Sequence, residues 1–115
     1  MTEENSRPVS APEPPYYTVV FTSKRTANPD GYEEAARRMA ELVRQVPGFL
    51  GMESAHVPGG LGITVGYFRD LEAIAGWQRD PEHQEAQRRG RAEWYQYYSV
   101  HIGRVERGYS FERRE

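Results

Sequence analysis

The segment YYTVVFTSK near the N-terminus carries apolar side chains on both faces of the strand that it predicts. Side chains alternate between the two faces of a strand, so Tyr17, Val19 and Phe21 share one face, and Tyr16 and Val20 share the other. A strand that is covered on one face only is expected to alternate apolar with polar residues. We therefore expect this strand to be covered on both faces, which argues against a sheet with one solvated face.

A helix is predicted after the first strand. The segment YEEAARRMAELVRQV repeats apolar residues at three- and four-residue steps, as one face of a helix does. Two starts are open: Asn28, followed by a proline at the first helical position, or Asp30, with a glutamate three residues later. Pro47 is expected to end the helix, and Gly48 permits a tight turn into the next strand.

The rest of the chain predicts three strands and two helices. The strands FLGMESAHV and LGITVGYFR flank the turn sequence PGG, which is typical of a hairpin. Asp70 is placed to cap a helix LEAIAGWQR, and Asp80, followed by a proline, is placed to start a helix EHQEAQRRGRAEW. A final strand is expected over about Tyr97 to Tyr109.

This order of elements predicts an α+β, ferredoxin-like βαββααβ domain with an antiparallel sheet. The crossover helices would cover one face of the sheet. A second copy of the same sheet is the economical cover for the other apolar face, so we expect a homodimer. The domain is expected over residues 16–111, between a proline-rich, disordered arm (1–15) and a short tail (112–115).

Composition excludes several classes of function. A chain of 115 residues with a net charge of -2 has room for one domain and no electrostatic basis for binding nucleic acid. The absence of cysteine excludes thiolate nucleophiles and disulfides. No apolar run is long enough to span a membrane, so we expect a cytoplasmic protein. His56 and His101 lack partners at metal-ligand spacing, and no metal site is expected.

Three segments resemble the antibiotic biosynthesis monooxygenase domain family, within the dimeric α+β barrel superfamily. They are the corner PGFLGMES, the strand-to-helix segment GITVGYFRDLEAIAGWQRDPEH, and the helix-to-strand segment QRRGRAEWYQYYSVHIGRVERGYSF. The resemblance covers about Tyr16 to Phe111, and the C-terminal segment looks like one uncharacterised bacterial subgroup of the family. It implies a homodimer with a small-molecule pocket between sheet and helices in each subunit.

The resemblance also implies two kinds of chemistry. Some members of the family oxygenate polyketide-like phenols without metal or flavin, and the substrate's own carbanion supplies electrons to oxygen. Another branch binds and degrades haem with an Asn, a Trp and a His. The Trp matches Trp77, but ten residues beyond it the chain has Gln87, and the first strand offers Thr22 and Ser23 in place of the Asn. We therefore expect no cofactor.

The candidate site follows the predicted inner stripe of the helical region. Trp77 is a candidate to hydrogen-bond a substrate oxygen, and His83 is a candidate general base. Gln87 and Trp94 continue the same stripe and are candidates to orient a flat ligand, and the two hydroxyls of the first strand complete the predicted substrate site. Each residue also has a structural interpretation: a packing tryptophan, a surface histidine, or contacts with a second subunit.

Two functions are therefore open at this stage. The first is a cofactor-independent monooxygenase that acts on a small aromatic, quinol-like or polyketide-like molecule. The second is a non-catalytic, ligand-binding or stress-associated dimer of the same fold. Haem degradation is expected less than either of these functions, because the chain lacks two of the three residues that the haem-degrading branch uses.

Overall fold

The computed structural model describes residues 8–28 and 30–114 of the chain. The elements follow one another as β1 (Tyr16–Arg25), α1 (Tyr32–Val43), β2 (Phe49–Val57), β3 (Leu61–Phe68), α2 (Leu71–Arg79), α3 (Pro81–Arg89), a π-helical turn (Gly90–Trp94) and β4 (Tyr95–Val105). The strands form one antiparallel sheet in the order β2-β3-β1-β4. The predicted α+β, ferredoxin-like order of elements is confirmed.

α1 begins later than either predicted cap. Its first residue is Tyr32, and Gly31 precedes it in the left-handed region, at φ 83°, with no side-chain cap. Asn28 instead stabilises the loop before the helix, because its side-chain oxygen accepts a hydrogen bond from the backbone N–H of Asp30 at 3.1 Å. Pro29, which one prediction placed at the first helical position, lies outside the described residues.

The aspartate caps of the next two helices are confirmed. Asp70 Oδ1 accepts a hydrogen bond from the backbone N–H of Ala73 at 2.8 Å and caps α2. Asp80 Oδ1 accepts from the N–H groups of Glu82 and His83, at 2.9 and 3.0 Å, and caps α3. These bonds satisfy donors that a helix start leaves free, and they fix the corner between α2 and α3.

The end of the third helix differs from the prediction. α3 ends at Arg89, a π-helical turn follows, and β4 starts at Tyr95, so the helical region does not continue regularly to Trp94. Gly90 lies in this turn, where an added Cβ would approach a ring carbon of Tyr95 to 2.7 Å. An aromatic ring therefore accounts for the glycine, and no ligand cavity is needed to explain it.

The core lies between the helices and one face of the sheet. Its buried residues are Val43, Phe68, Ala73 and Ile74, and Tyr17, Val19, Val46, Phe49, Met52 and Trp77 pack against them. Strand register places Val20, Val65 and Ile63 on the opposite face. On that face Ile63 is 44% exposed and Leu61 is 48% exposed. The first strand is thus two-sided, as predicted, and a single chain leaves Ile63 and Leu61 on the second face exposed.

The N-terminal segment contacts the domain over the part that the structure describes. The backbone N–H of Val9 donates to Glu53 at 2.7 Å, and that of Ala11 donates to the hydroxyl of Ser110 at 2.7 Å. Arg69 donates to the carbonyl of Pro15 at 3.1 Å. Residues 8–15 therefore differ from the expected disordered arm, and the rest of that prediction, residues 1–7, lies outside the described residues.

Candidate functional site

Trp77 and His83 form a stacked pair where α2 turns into α3. Their ring centroids are 3.8 Å apart and their planes are 12° from parallel. Trp77 also packs against the apolar core, so the histidine lies on a ring that the fold holds in place. The structure thus brings together the two residues that the sequence proposed as catalytic.

The hydrogen bond of His83 determines which ring nitrogen carries the proton. Its Nδ1 lies 2.9 Å from the backbone carbonyl of Trp77. A carbonyl only accepts hydrogen bonds, so Nδ1 must be the donor. In the neutral imidazole Nε2 therefore keeps its lone pair, which is the form that a general base requires.

The surroundings of His83 favour this neutral form. Burial is the largest effect and lowers the pKa of His83 below its usual value, although the Trp77 carbonyl and the charge of Asp80 oppose it. At neutral pH the side chain is therefore mostly uncharged, with Nε2 able to take up a proton.

The other residues of the predicted stripe have different positions. Trp94 is only 3% exposed, and its indole N–H donates to the carbonyl of Asp30 at 2.8 Å. Arg89 lies 4.7 Å above its ring. Gln87 of α3 is exposed. Trp94 is thus engaged in packing, and Gln87 is exposed to solvent.

Thr22 and Ser23 lie on opposite faces of the sheet. Ser23 is 3% exposed, and it pairs with Gly62 and Tyr98 on the helix-covered side. Thr22 shares the opposite, uncovered face with Ile63. The two hydroxyls therefore do not line one pocket, as adjacent positions in a strand never do.

Two surface grooves are lined by residues other than the histidine. One, of about 580 Å³, lies between the end of β1, the start of α1 and the β2–β3 turn, and its wall includes Arg25, Tyr32 and Gly60. The other, of about 420 Å³, lies beside the start of α2 and includes Gly48 and Gly76. Neither groove has Trp77 or His83 in its wall.

Sequence reasoning missed an aromatic cluster that connects β1, α1 and β4. Phe21 packs against Tyr95 and Tyr98, with ring centroids 5.4 and 5.2 Å apart, and Tyr32 meets Tyr95 edge to face at 6.1 Å. Burial, followed by the neighbouring Tyr32, raises the pKa of Tyr95. The crowding of tyrosines in the C-terminal half was visible in the sequence, but their meeting with α1 was not.

Residues 8–28 and 30–114 contain neither a metal-ligand cluster nor a membrane-spanning helix. No three His, Cys, Asp or Glu side chains in this part of the chain come together as metal ligands would. In the same part, no helix combines the length and apolar character needed to cross a membrane.

The domain is similar in sequence to known proteins. A family model described as antibiotic biosynthesis monooxygenase matches residues 16–89. YqjZ, an uncharacterized protein of Bacillus subtilis, is 46% identical over 101 residues, which cover 88% of this chain and 89% of that protein.

Two solved structures with low sequence identity share the fold. SnoaB of Streptomyces nogalater, described as a cofactor-independent oxygenase, superposes with a TM-score of 0.70 at 15% identity, over 81% of this chain and 95% of its own. Rv0793 of Mycobacterium tuberculosis gives 0.70 at 13% identity, over 83% and 99%.

Proposed function

The chain belongs to the antibiotic biosynthesis monooxygenase family, and on this premise we propose that it is a cofactor-independent monooxygenase for a small aromatic or quinol-like molecule. The observation that carries the proposal is the hydrogen bond from His83 Nδ1 to the Trp77 carbonyl, which leaves Nε2 free to act as a base. The description of SnoaB as a cofactor-independent oxygenase supports this reaction class.

The reaction needs a base and no external reductant. His83 Nε2 would take the proton of a phenolic hydroxyl or an activated C–H group, and the conjugated anion would pass electrons to O₂. A carbon–oxygen bond then forms, and loss of water from the hydroperoxide leaves a carbonyl group. Overall, a CH₂ group and O₂ become C=O and water, so the substrate supplies all the electrons.

The stacked indole contributes to this chemistry by holding the base. Because Trp77 fixes His83 through both its ring and its carbonyl, the imidazole spends little time in unproductive orientations. Partial burial of the pair also limits competition from water for the substrate anion. We propose that the protein works as a homodimer, since its apolar face that carries Ile63 needs cover.

One observation favours a second candidate, a non-catalytic ligand-binding dimer. His83 is not in the wall of either surface groove, so a ligand held by the wall of one of these grooves would not contact the proposed base. Such a protein would bind small aromatic molecules and leave them unchanged.

Oxygen uptake separates the two candidates. Pure, metal-free protein is incubated with a panel of hydroquinones and anthrones, and oxygen consumption and product mass are followed. We expect uptake above that of heat-treated protein, with a product that has gained one oxygen atom and lost two hydrogens. Binding without uptake, seen as a change in tryptophan fluorescence, would instead identify the non-catalytic dimer.

A further inference from the structure

A bidentate ion pair joins α1 to α3 beside the proposed base. Arg38 Nε donates to Glu82 Oε2 at 2.5 Å, and Nη2 donates to Oε1 at 3.0 Å. Two parallel bonds of this kind fix the orientation of the two side chains as well as their distance. The two residues stand 44 positions apart, so the pair connects two elements and is not a contact within one helix turn.

Apolar packing contributes little to the same junction. No residue of α3, from Pro81 to Arg89, is buried, and Val43 is the buried residue of α1. At the other end of α3, the Arg89 guanidinium approaches α1, because a Cβ added to Gly31 would lie 2.9 Å from its Nη2. Charged side chains at the two ends of α3 therefore lie beside α1 and its N-cap residue.

The junction lies next to the stacked pair. Glu82 and His83 are neighbours in the first turn of α3, and the N–H groups of both are held by Asp80. Trp77 packs on the core cluster that includes Val43 of α1. The ion pair thus joins α1 to the first turn of α3, at the residue that directly precedes His83.

We propose that Arg38 and Glu82 form a salt-sensitive strap that holds α1 against α3 and restricts access to the Trp77–His83 pair. The local bonds of His83 fix it to the α2–α3 corner, whereas the strap fixes that corner relative to α1. When the strap opens, the helices separate and the pair becomes more accessible to solvent and to small molecules. Its consequence for turnover rests on the proposed function, but its effect on access does not.

Arg38 and Glu82 are half-exposed, so dissolved ions screen the attraction between their charges. The Debye length is about 10 Å at 0.1 M salt and about 3 Å at 1 M, and raising the salt concentration should therefore weaken the strap. Exposed ion pairs contribute little to the free energy of unfolding, so we expect strap variants to remain folded.

Acrylamide quenching of tryptophan fluorescence tests the strap without any substrate. Trp94 is 3% exposed and serves as a constant background, while the partly buried Trp77 reports access. We expect Glu82→Gln to raise the quenching constant, and salt to raise it in the native protein but not in that variant. Acrylamide is uncharged, so salt acts on the protein and not on the quencher.

The chain offers a matched control on the same helix. Arg88 and Glu85 form a bidentate pair within α3, at 3.0 and 2.6 Å, which joins no second element. Glu85→Gln should leave the quenching constant unchanged, and the charge-exchanged double variant Arg38→Glu, Glu82→Arg should restore the native value.

The results that overturn the strap are equally specific. They are equal quenching in the native protein and Glu82→Gln, an equal rise in Glu85→Gln, or no restoration in the double variant. Because the test uses no substrate, it can fail while oxygen uptake is observed, and it can succeed in a protein that oxygenates nothing.

Discussion

The imidazole of His83 lies flat against the indole of Trp77, and its Nδ1 donates to the carbonyl of the same tryptophan. One residue thus supplies both the surface on which the histidine rests and the bond that selects its tautomer. The histidine is held at the α2–α3 corner, partly away from water, with Nε2 as its remaining basic atom.

This burial predicts how stability depends on pH. The pKa of His83 is lower in the folded protein than its unperturbed value of about 6.5, so the unfolded chain takes up the proton first as pH falls. The contribution of the buried, neutral His83 to the free energy of unfolding is fully present above about pH 6.5, and it is lost as pH falls through the pKa of the folded protein. We expect the melting temperature to fall more steeply from about pH 7.5 to 5.5 in the native protein than in His83→Gln, measured by calorimetry at constant ionic strength.

His56 provides an internal comparison for that experiment. Its pKa is also lowered, by burial and then by the charge of Arg25, so it gives the same dependence in both proteins. It therefore cancels in the difference between them. Parallel curves for the native protein and His83→Gln would show that His83 is not held in its neutral form.

The position of His83 could be predicted because its determinants are local. Asp80 followed by proline predicts where α3 starts, and helical spacing then directs position 83 inward. The stacking on Trp77 could not be predicted, since it depends on the angle between α2 and α3. Its bond to the Trp77 carbonyl depends on the same angle.

The positions of the other candidate site residues depend on features that the sequence does not show. Trp94 ends a π-helical turn, which breaks the 3.6-residue phase on which the stripe was based, and its indole N–H donates to the carbonyl of Asp30, 64 positions earlier in the chain. Thr22 and Ser23 were matched to one position of a related family, but strand alternation separates their side chains. The two apolar faces of the first strand could be predicted, because side chains alternate between the two faces of any strand.

The uncovered sheet face predicts a dimer at micromolar concentration. Its total buried area should be at least on the order of 2,000 Å². Ile63→Arg places a charge in the centre of this face and should yield monomers, whereas Leu71→Arg, at a 54% exposed leucine of α2, should not. Sedimentation equilibrium measures the oligomeric state of the native protein and the two variants. A native protein that is monomeric at this concentration would contradict the prediction.

Contacts of the N-terminal segment predict unequal effects of two truncations. Deleting residues 1–11 removes the backbone N–H of Val9, which donates a hydrogen bond to Glu53. The part-buried carboxylate then has one hydrogen-bond partner fewer, which costs about 1–3 kcal/mol of unfolding free energy. The melting temperature should fall by several degrees, since about 1 kcal/mol shifts a domain of this size by roughly 4 °C or more. Deleting residues 1–7 keeps Val9 and is the control. Equal melting temperatures for the two truncations would show that these contacts stabilise little.

Gln87 predicts that the protein forms no specific haem complex. An amide does not ligate haem iron as an imidazole does, and Gln87 stands where the related haem-degrading branch has its histidine. Titration with hemin should give no sharp Soret band and no saturation at low micromolar concentration. A one-to-one complex that disappears in His83→Ala would show that His83 Nε2 had taken over as the iron ligand.

The last prediction concerns turnover. If His83 Nε2 is the general base, His83→Ala should lower kcat by about 10²–10⁴-fold, with the far-ultraviolet circular dichroism spectrum unchanged. Because Gln87 is exposed, Gln87→Leu should leave both kcat and KM close to native values, which makes it the matched control on the same helix. Trp77→Phe keeps a ring and a backbone carbonyl, so it should preserve most of the activity, whereas Trp77→Ala removes the surface under the imidazole and should lose more. Oxygen uptake over a range of substrate concentrations gives kcat and KM for all four variants. Native activity in His83→Ala would mean that the base lies elsewhere, and the tyrosines around Tyr95 would be the next residues to substitute.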